Sequence, residues 1–122
     1  MHRLLLAIFS IGLMIQFTSC VKQNEEDLSG AKYCKIDTPS FQQHIQIIIN
    51  DRCMPCHNAS KAESGFDLSN YTNIADIATN GVLQGVIRHE SGYIPMPASA
   101  PKMPFCEIQI IDKWIEQGAL NN

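Results

Sequence analysis

Basic surface is what this sequence has least of. Nine Lys and Arg stand against twelve Asp and Glu in 122 residues, dispersed apart from a short Glu25-Glu26-Asp27 run. No basic patch is therefore offered to nucleic acid, and charge alone names no partner. The chain also lacks an internal repeat and any strand-like alternation of apolar and polar residues. These absences set aside solenoids, sheet-based folds and the βαβ unit of a thioredoxin-like enzyme. Long apolar runs are missing too, save one over residues 4–15. That run is shorter than the roughly 20 residues a bilayer-spanning helix needs. With Arg3 before it and small residues after it, it has the three parts of an export signal.

What the chain does have is a compact set of soft donors. Cys53-Met54-Pro55-Cys56-His57 carries the Cys-x-x-Cys-His spacing that attaches haem through two thioethers and supplies an axial imidazole. On one helical turn both thiols can reach the vinyl groups along one porphyrin edge, and His57 then comes up beneath the iron. The same five residues also suit a redox dithiol, or half of a zinc site completed by Cys34 and Cys106.

The surrounding segments predict a mostly α domain. Residues 21–30 are polar and read as a tether. Thr38-Pro39 signals a helix start, after which Phe41, Ile45, Ile48 and Ile49 share one face and the chain is delivered to Cys53. Residues 58–67 read as a loop turning at Gly65, after which Phe66, Leu68 and Tyr71 bring apolar groups back. Two short helices over 72–79 and 82–90, broken by Asn80-Gly81 and stopped by Ser91-Gly92, are expected to wall one side of a pocket. Pro95, Pro97, Pro101 and Pro104 make residues 93–104 a stiff extended loop. A last helix over 105–117 places Ile108, Ile111, Trp114 and Ile115 on one face and stops at Gly118.

One imidazole leaves an axial position of haem iron open, and a methionine downstream is the natural candidate. Thioether sulfur is soft and neutral, and His/Met ligation raises the potential relative to bis-imidazole ligation. Met96 lies between Pro95 and Pro97, whose fixed φ angles stiffen the loop that presents it. Met103, before Pro104, is the alternative. Among the remaining histidines, His2 belongs to the signal. His44 falls off the apolar helix face, and His89 sits late in a helix where a cation suits the dipole. Trp114 serves first as aromatic packing and only second as a haem contact.

Taken together, these residues resemble the small bacterial monohaem c-type cytochromes, with features of a lipoprotein-borne group. The resemblance covers nearly all of the mature chain. It rests on the helix over 41–49, on Cys53-x-x-Cys56-His57 and on Gly65-Phe66-Asp67-Leu68-Ser69-x-Tyr71. It continues through Asn80-Gly81-x-Leu83 and Pro95-Met96-Pro97 to Trp114-Ile115-x-x-Gly118-Ala119. It implies a small cytochrome c-like helical domain around one covalent haem c. Cys53 and Cys56 are then the thioether donors, His57 the proximal iron ligand and Met96 the distal one, while Met103 takes a position where such proteins carry a packing Leu. It also implies an electron carrier rather than an enzyme, exchanging electrons with a donor and an acceptor redox protein at an exposed haem edge. The alternative is a haem-based sensor or peroxidase-like protein whose sixth position is open or displaceable. Two features depart from the family pattern: Pro104-Phe105 stands where a capping Ser or Thr is usual, and the first helix carries bulky Ile48 and Ile49 in place of a small crossing glycine.

The ending Phe17-Thr18-Ser19-Cys20 resembles the lipobox of bacterial lipoproteins, which are cut before a cysteine that is then acylated. This implies a signal over 1–19, a lipidated polar tether over 20–32 and a domain over 33–122. The place is the envelope of a bacterium, with the protein anchored through Cys20 and facing the periplasm or the exterior. Removing the signal takes away Arg3 and leaves eight basic against twelve acidic side chains, a net charge near −4. The five cysteines then all have a role. Cys20 carries lipid, Cys53 and Cys56 carry haem, and Cys34 with Cys106 remain as a disulfide pair in an oxidising compartment.

Overall fold

A computed structural model describes residues 34–122. The expected signal, tether and acylated Cys20 lie outside the described residues. Within them the chain is helical, with no strand. A π-helical turn, Phe41–Ile45, runs directly into α1, Gln46–Arg52; α2 is Tyr71–Thr79, α3 is Val82–Arg88 and α4 is Phe105–Glu116. A short 3-10 turn, Glu63–Gly65, lies between α1 and α2. No helix among the described residues is long and apolar enough to cross a membrane.

The first helical segment starts later than Thr38-Pro39 suggests. Ser40 is the cap, its hydroxyl oxygen accepting from the Gln43 N–H at 3.2 Å, while Pro39 is fully buried ahead of it. The first-turn donors find partners at the far end of the chain. The Phe41 N–H donates to Asn122 Oδ1 at 2.8 Å and the Gln42 N–H to the Asn122 carbonyl at 3.0 Å. Phe41, Ile45 and Ile49, spaced by four, point into the core, and Ile48 is rotated to its edge and half-buried.

Those side chains meet α4 through Ile108, Ile111 and Trp114. Phe41 lies edge-on to Tyr71, with ring centroids 5.0 Å apart, and 5.8 Å from Trp114. Trp114 has no exposed surface and donates its indole N–H to the Leu120 carbonyl at 2.9 Å, so its burial leaves no donor unmet. The first and last helical segments thus cross at the π-turn end.

Asn70 caps α2, accepting from the Asn73 N–H at 3.0 Å. Gly81 then takes φ +84° between α2 and α3, where Asn80 Oδ1 accepts from the Val82 N–H at 3.0 Å. The expected stop of α3 at Ser91-Gly92 is corrected. The helix ends at Arg88, and His89 itself adopts the left-handed conformation, φ 57°, at its C-terminus. Histidine is among the few non-glycine side chains enriched there. α4 begins after Pro104 with no side-chain cap, and Glu107 in its first turn pairs with Arg52 instead.

Long-range ties converge on α4. Cys34 and Cys106 are disulfide-bonded with their Cα atoms 5.4 Å apart. Lys113 donates to the Ile36 carbonyl at 3.1 Å and to Asp37 at 2.8 Å, and that hydrogen bond holds the exposed Asp37 carboxyl below its ordinary range. Arg52 grips Glu107 through two bonds of 2.9 and 2.7 Å, and Arg88 meets Asp112 at 2.8 Å. The first of these pairs joins α1 to α4 and the second joins α3 to α4.

Candidate functional site

The segment after α1 keeps winding. The Cys53 N–H donates to the Ile49 carbonyl at 2.9 Å, the Cys56 N–H to the Cys53 carbonyl at 3.1 Å and the His57 N–H to the same carbonyl at 2.9 Å. This continued turn brings Cys53, Cys56 and His57 to one wall of a cleft. Asn58 then redirects the chain. Its amide donates to the Met54 carbonyl at 2.8 Å, and its side-chain oxygen accepts from the Ser60 and Lys61 N–H groups, each at 3.0 Å. The returning segment is fastened by the Leu68 N–H, which donates to the His57 carbonyl at 2.8 Å. Phe66 sets its ring edge-on to the imidazole of His57, with centroids 6.4 Å apart.

Leu83, Val86 and Ile87 of α3, with Leu68 and Ile77, give the cleft apolar walls. Met96 enters from the proline-rich loop, where its N–H donates to the Val86 carbonyl at 3.0 Å. The cleft encloses about 150 Å³ and opens to solvent. Arg52 and Glu63 stand at the polar part of its lining.

Cys53, Cys56, His57, Met96 and Met103 all line this single cleft. The two methionines differ in setting: Met103 is buried at 6% exposure among the core side chains, whereas Met96 is half-buried on the loop. His44 and His89 do not line the cleft. His44 Nδ1 accepts from the Ser40 N–H at 3.1 Å at the far end of its helix. His89 is the left-handed residue at the C-terminus of α3. Trp114 is likewise outside the lining and packs within the core.

The chain matches no family model, no curated protein and no solved structure. What the site can do therefore rests on its own chemistry.

His57 Nδ1 is buried without a hydrogen-bond partner among the described residues. Such an atom costs about 1–3 kcal/mol of desolvation. Cys53 and Cys56 are free thiols beside it. Burial, assisted by the Glu107 carboxylate, pushes the Cys53 thiol up from its ordinary 9.0 to about 11. Cys53 acting as the attacking thiol of a redox pair would need the opposite shift, because the thiolate is the nucleophile. A zinc site fares no better: Cys34 and Cys106 are bonded to each other, and among the described residues no three His, Cys, Asp or Glu side chains converge. Two half-buried thiols, an adjacent imidazole, a thioether and apolar walls form a donor set that would suit a covalently held, apolar, metal-bearing cofactor.

Sequence reasoning passed over two features of this region. Gly85 is a buried glycine inside α3, and a Cβ built there meets three atoms of the Tyr93 ring at 2.5–2.6 Å. An isolated glycine within a helical pattern was the available signal. His89 Nε2 lies 3.1 Å from the Met96 carbonyl oxygen, a contact across seven residues that no periodicity announces.

Proposed function

We propose that this chain is an electron-transfer c-type cytochrome of the bacterial cell envelope. One covalent haem c is held through thioethers to Cys53 and Cys56 and ligated by His57 and Met96. The observation that carries the reading is the meeting of Cys53, Cys56, His57 and Met96 around one apolar cleft. When bound, the haem supplies a one-electron couple between ferric and ferrous iron. The protein's part is ligation, burial and orientation. The turn wound on from α1 presents both thiols and the imidazole from one wall, and the loop pinned to Val86 presents the thioether. Leu83, Val86 and Ile87 keep water from that space, which favours the less charged, reduced state. No substrate bond is made or broken, and the exchange takes place with donor and acceptor redox proteins. Cys20, acylated after removal of the signal, ties the domain to the membrane surface through the tether.

The test is an absorption spectrum of the purified protein, oxidised and reduced, repeated under carbon monoxide. The wild type is expected to show low-spin haem unchanged by carbon monoxide. Met96→Ala binds carbon monoxide and loses potential, whereas Met103→Leu leaves ligation intact because Met103 serves as core packing. Carbon monoxide binding by the wild type would favour the sensor or peroxidase-like reading, and interchanged phenotypes would move the distal ligand to Met103.

A further inference from the structure

We propose that His89 is a positioning residue for Met96, locking the loop that presents the thioether; this rests on Met96 being the distal ligand. A carbonyl oxygen only accepts, so at 3.1 Å from the Met96 carbonyl the His89 Nε2 is the nitrogen that carries hydrogen. The Met96 N–H donates to the Val86 carbonyl at 3.0 Å. Both backbone polar groups of Met96 are therefore bound to the last turn of α3 and the residue that closes it.

A third fastening lies between them. The Tyr93 ring rests on the bare Cα of Gly85, where any side chain would strike it, and the Tyr93 N–H donates to the Glu90 carbonyl at 3.2 Å. Residues 89–96 thus fold back on their own helix through a ring, an amide and an imidazole. The left-handed conformation of His89, φ 57°, turns the chain into this return. Had termination of α3 been the only requirement, glycine would meet it at lower conformational cost. The imidazole adds a hydrogen bond that holds the peptide of Met96, and with it the origin of the thioether side chain, in a fixed orientation.

Neutral thioether sulfur is a weak ligand for ferric iron, so fixing its backbone decides how readily another ligand displaces it. Supporting groups around a metal ligand are typically worth about 10- to 100-fold in affinity when removed. The experiment titrates the purified, oxidised holoprotein with imidazole and follows loss of the sulfur-to-ferric-iron charge-transfer band. His89→Gly keeps the left-handed turn and deletes the hydrogen bond; it is expected to bind imidazole about tenfold more tightly than wild type. His89→Gln, whose amide donor has a similar reach, should return the affinity to within about twofold. If His89→Gly matures poorly, His89→Asn serves in its place, since Asn accepts the left-handed conformation and its shorter amide falls short of Met96.

Wild-type imidazole affinity in the glycine variant, with Met96→Ala abolishing the band, would overturn the role of His89 and leave the ligand reading standing. A band that survives Met96→Ala would overturn the ligand reading itself. Tight imidazole binding by the glycine variant without rescue by His89→Gln would also overturn the proposal, since the hydrogen bond would not be the cause.

Discussion

His57 and Cys53 stand in contrasting settings on the same wall of the cleft. The imidazole has a buried, unpaired Nδ1, and the thiol is pushed up to about 11 by burial and then by the Glu107 carboxylate. Gly85 is a residue chosen for what it omits. Replacing it with alanine improves helix propensity by about 1 kcal/mol, but the new Cβ meets the inner atoms of the Tyr93 ring at 2.5–2.6 Å. Those atoms are the fixed base of the ring, so the whole side chain must leave its place, and overpacking of this kind costs about 1–3 kcal/mol. Gly85→Ala is therefore expected to lower stability by about 1 kcal/mol in denaturant unfolding and to shift the Tyr93 ring resonances. Unchanged stability with unmoved Tyr93 signals would show that the ring is not seated there. At this scale spacing was enough to single out the cysteine pair, His57 and the proline-flanked methionine as candidates, and all four line the cleft. Gly85 and His89 were not legible, because each acts through a side chain or carbonyl brought close by the return of the loop.

The helices were legible in kind and less so at their ends. The first and last helical segments stand where apolar spacing put them, and α2 and α3 lie on either side of the Asn80-Gly81 break, since burying one face of a short helix dominates its energetics. Their limits shifted where a local polar contact outweighed the signal. Ser40, not Thr38, holds the first-turn N–H, and His89 closes α3 before Ser91-Gly92 is reached. Between elements, the Cys34–Cys106 bond ties the stretch before the π turn to the first turn of α4, across a sequence separation of 72. A closed loop of that length constrains the unfolded chain by about 4 kcal/mol, the upper end of what disulfides deliver. Replacing both cysteines by alanine in the holoprotein is expected to lower the unfolding free energy by about 2–4 kcal/mol, measured in guanidinium, with the haem spectrum retained. A loss below about 0.5 kcal/mol would mean that the Lys113–Asp37 contact and its neighbours already hold that segment.

At the scale of the whole molecule, the mostly α architecture could be read from periodicity and from the absence of alternation. The gathering of distant residues around one cleft could be read only through the resemblance. Residues 53–57 and Met96 are separated by two helices and several turns, and their meeting depends on how α3 lies against α4, which the Arg88–Asp112 and Gln84–Asp112 contacts secure. No single segment encodes that juxtaposition. The account stands on a covalent haem at residues 53–57. Its most direct test is the mass of the proteolytic fragment bearing Cys53, Cys56 and His57, cut from protein purified from its native source. The account predicts that fragment carrying one haem with neither thiol available to alkylation. A fragment of unmodified mass, with Cys53 and Cys56 both alkylated or joined to each other, would contradict it.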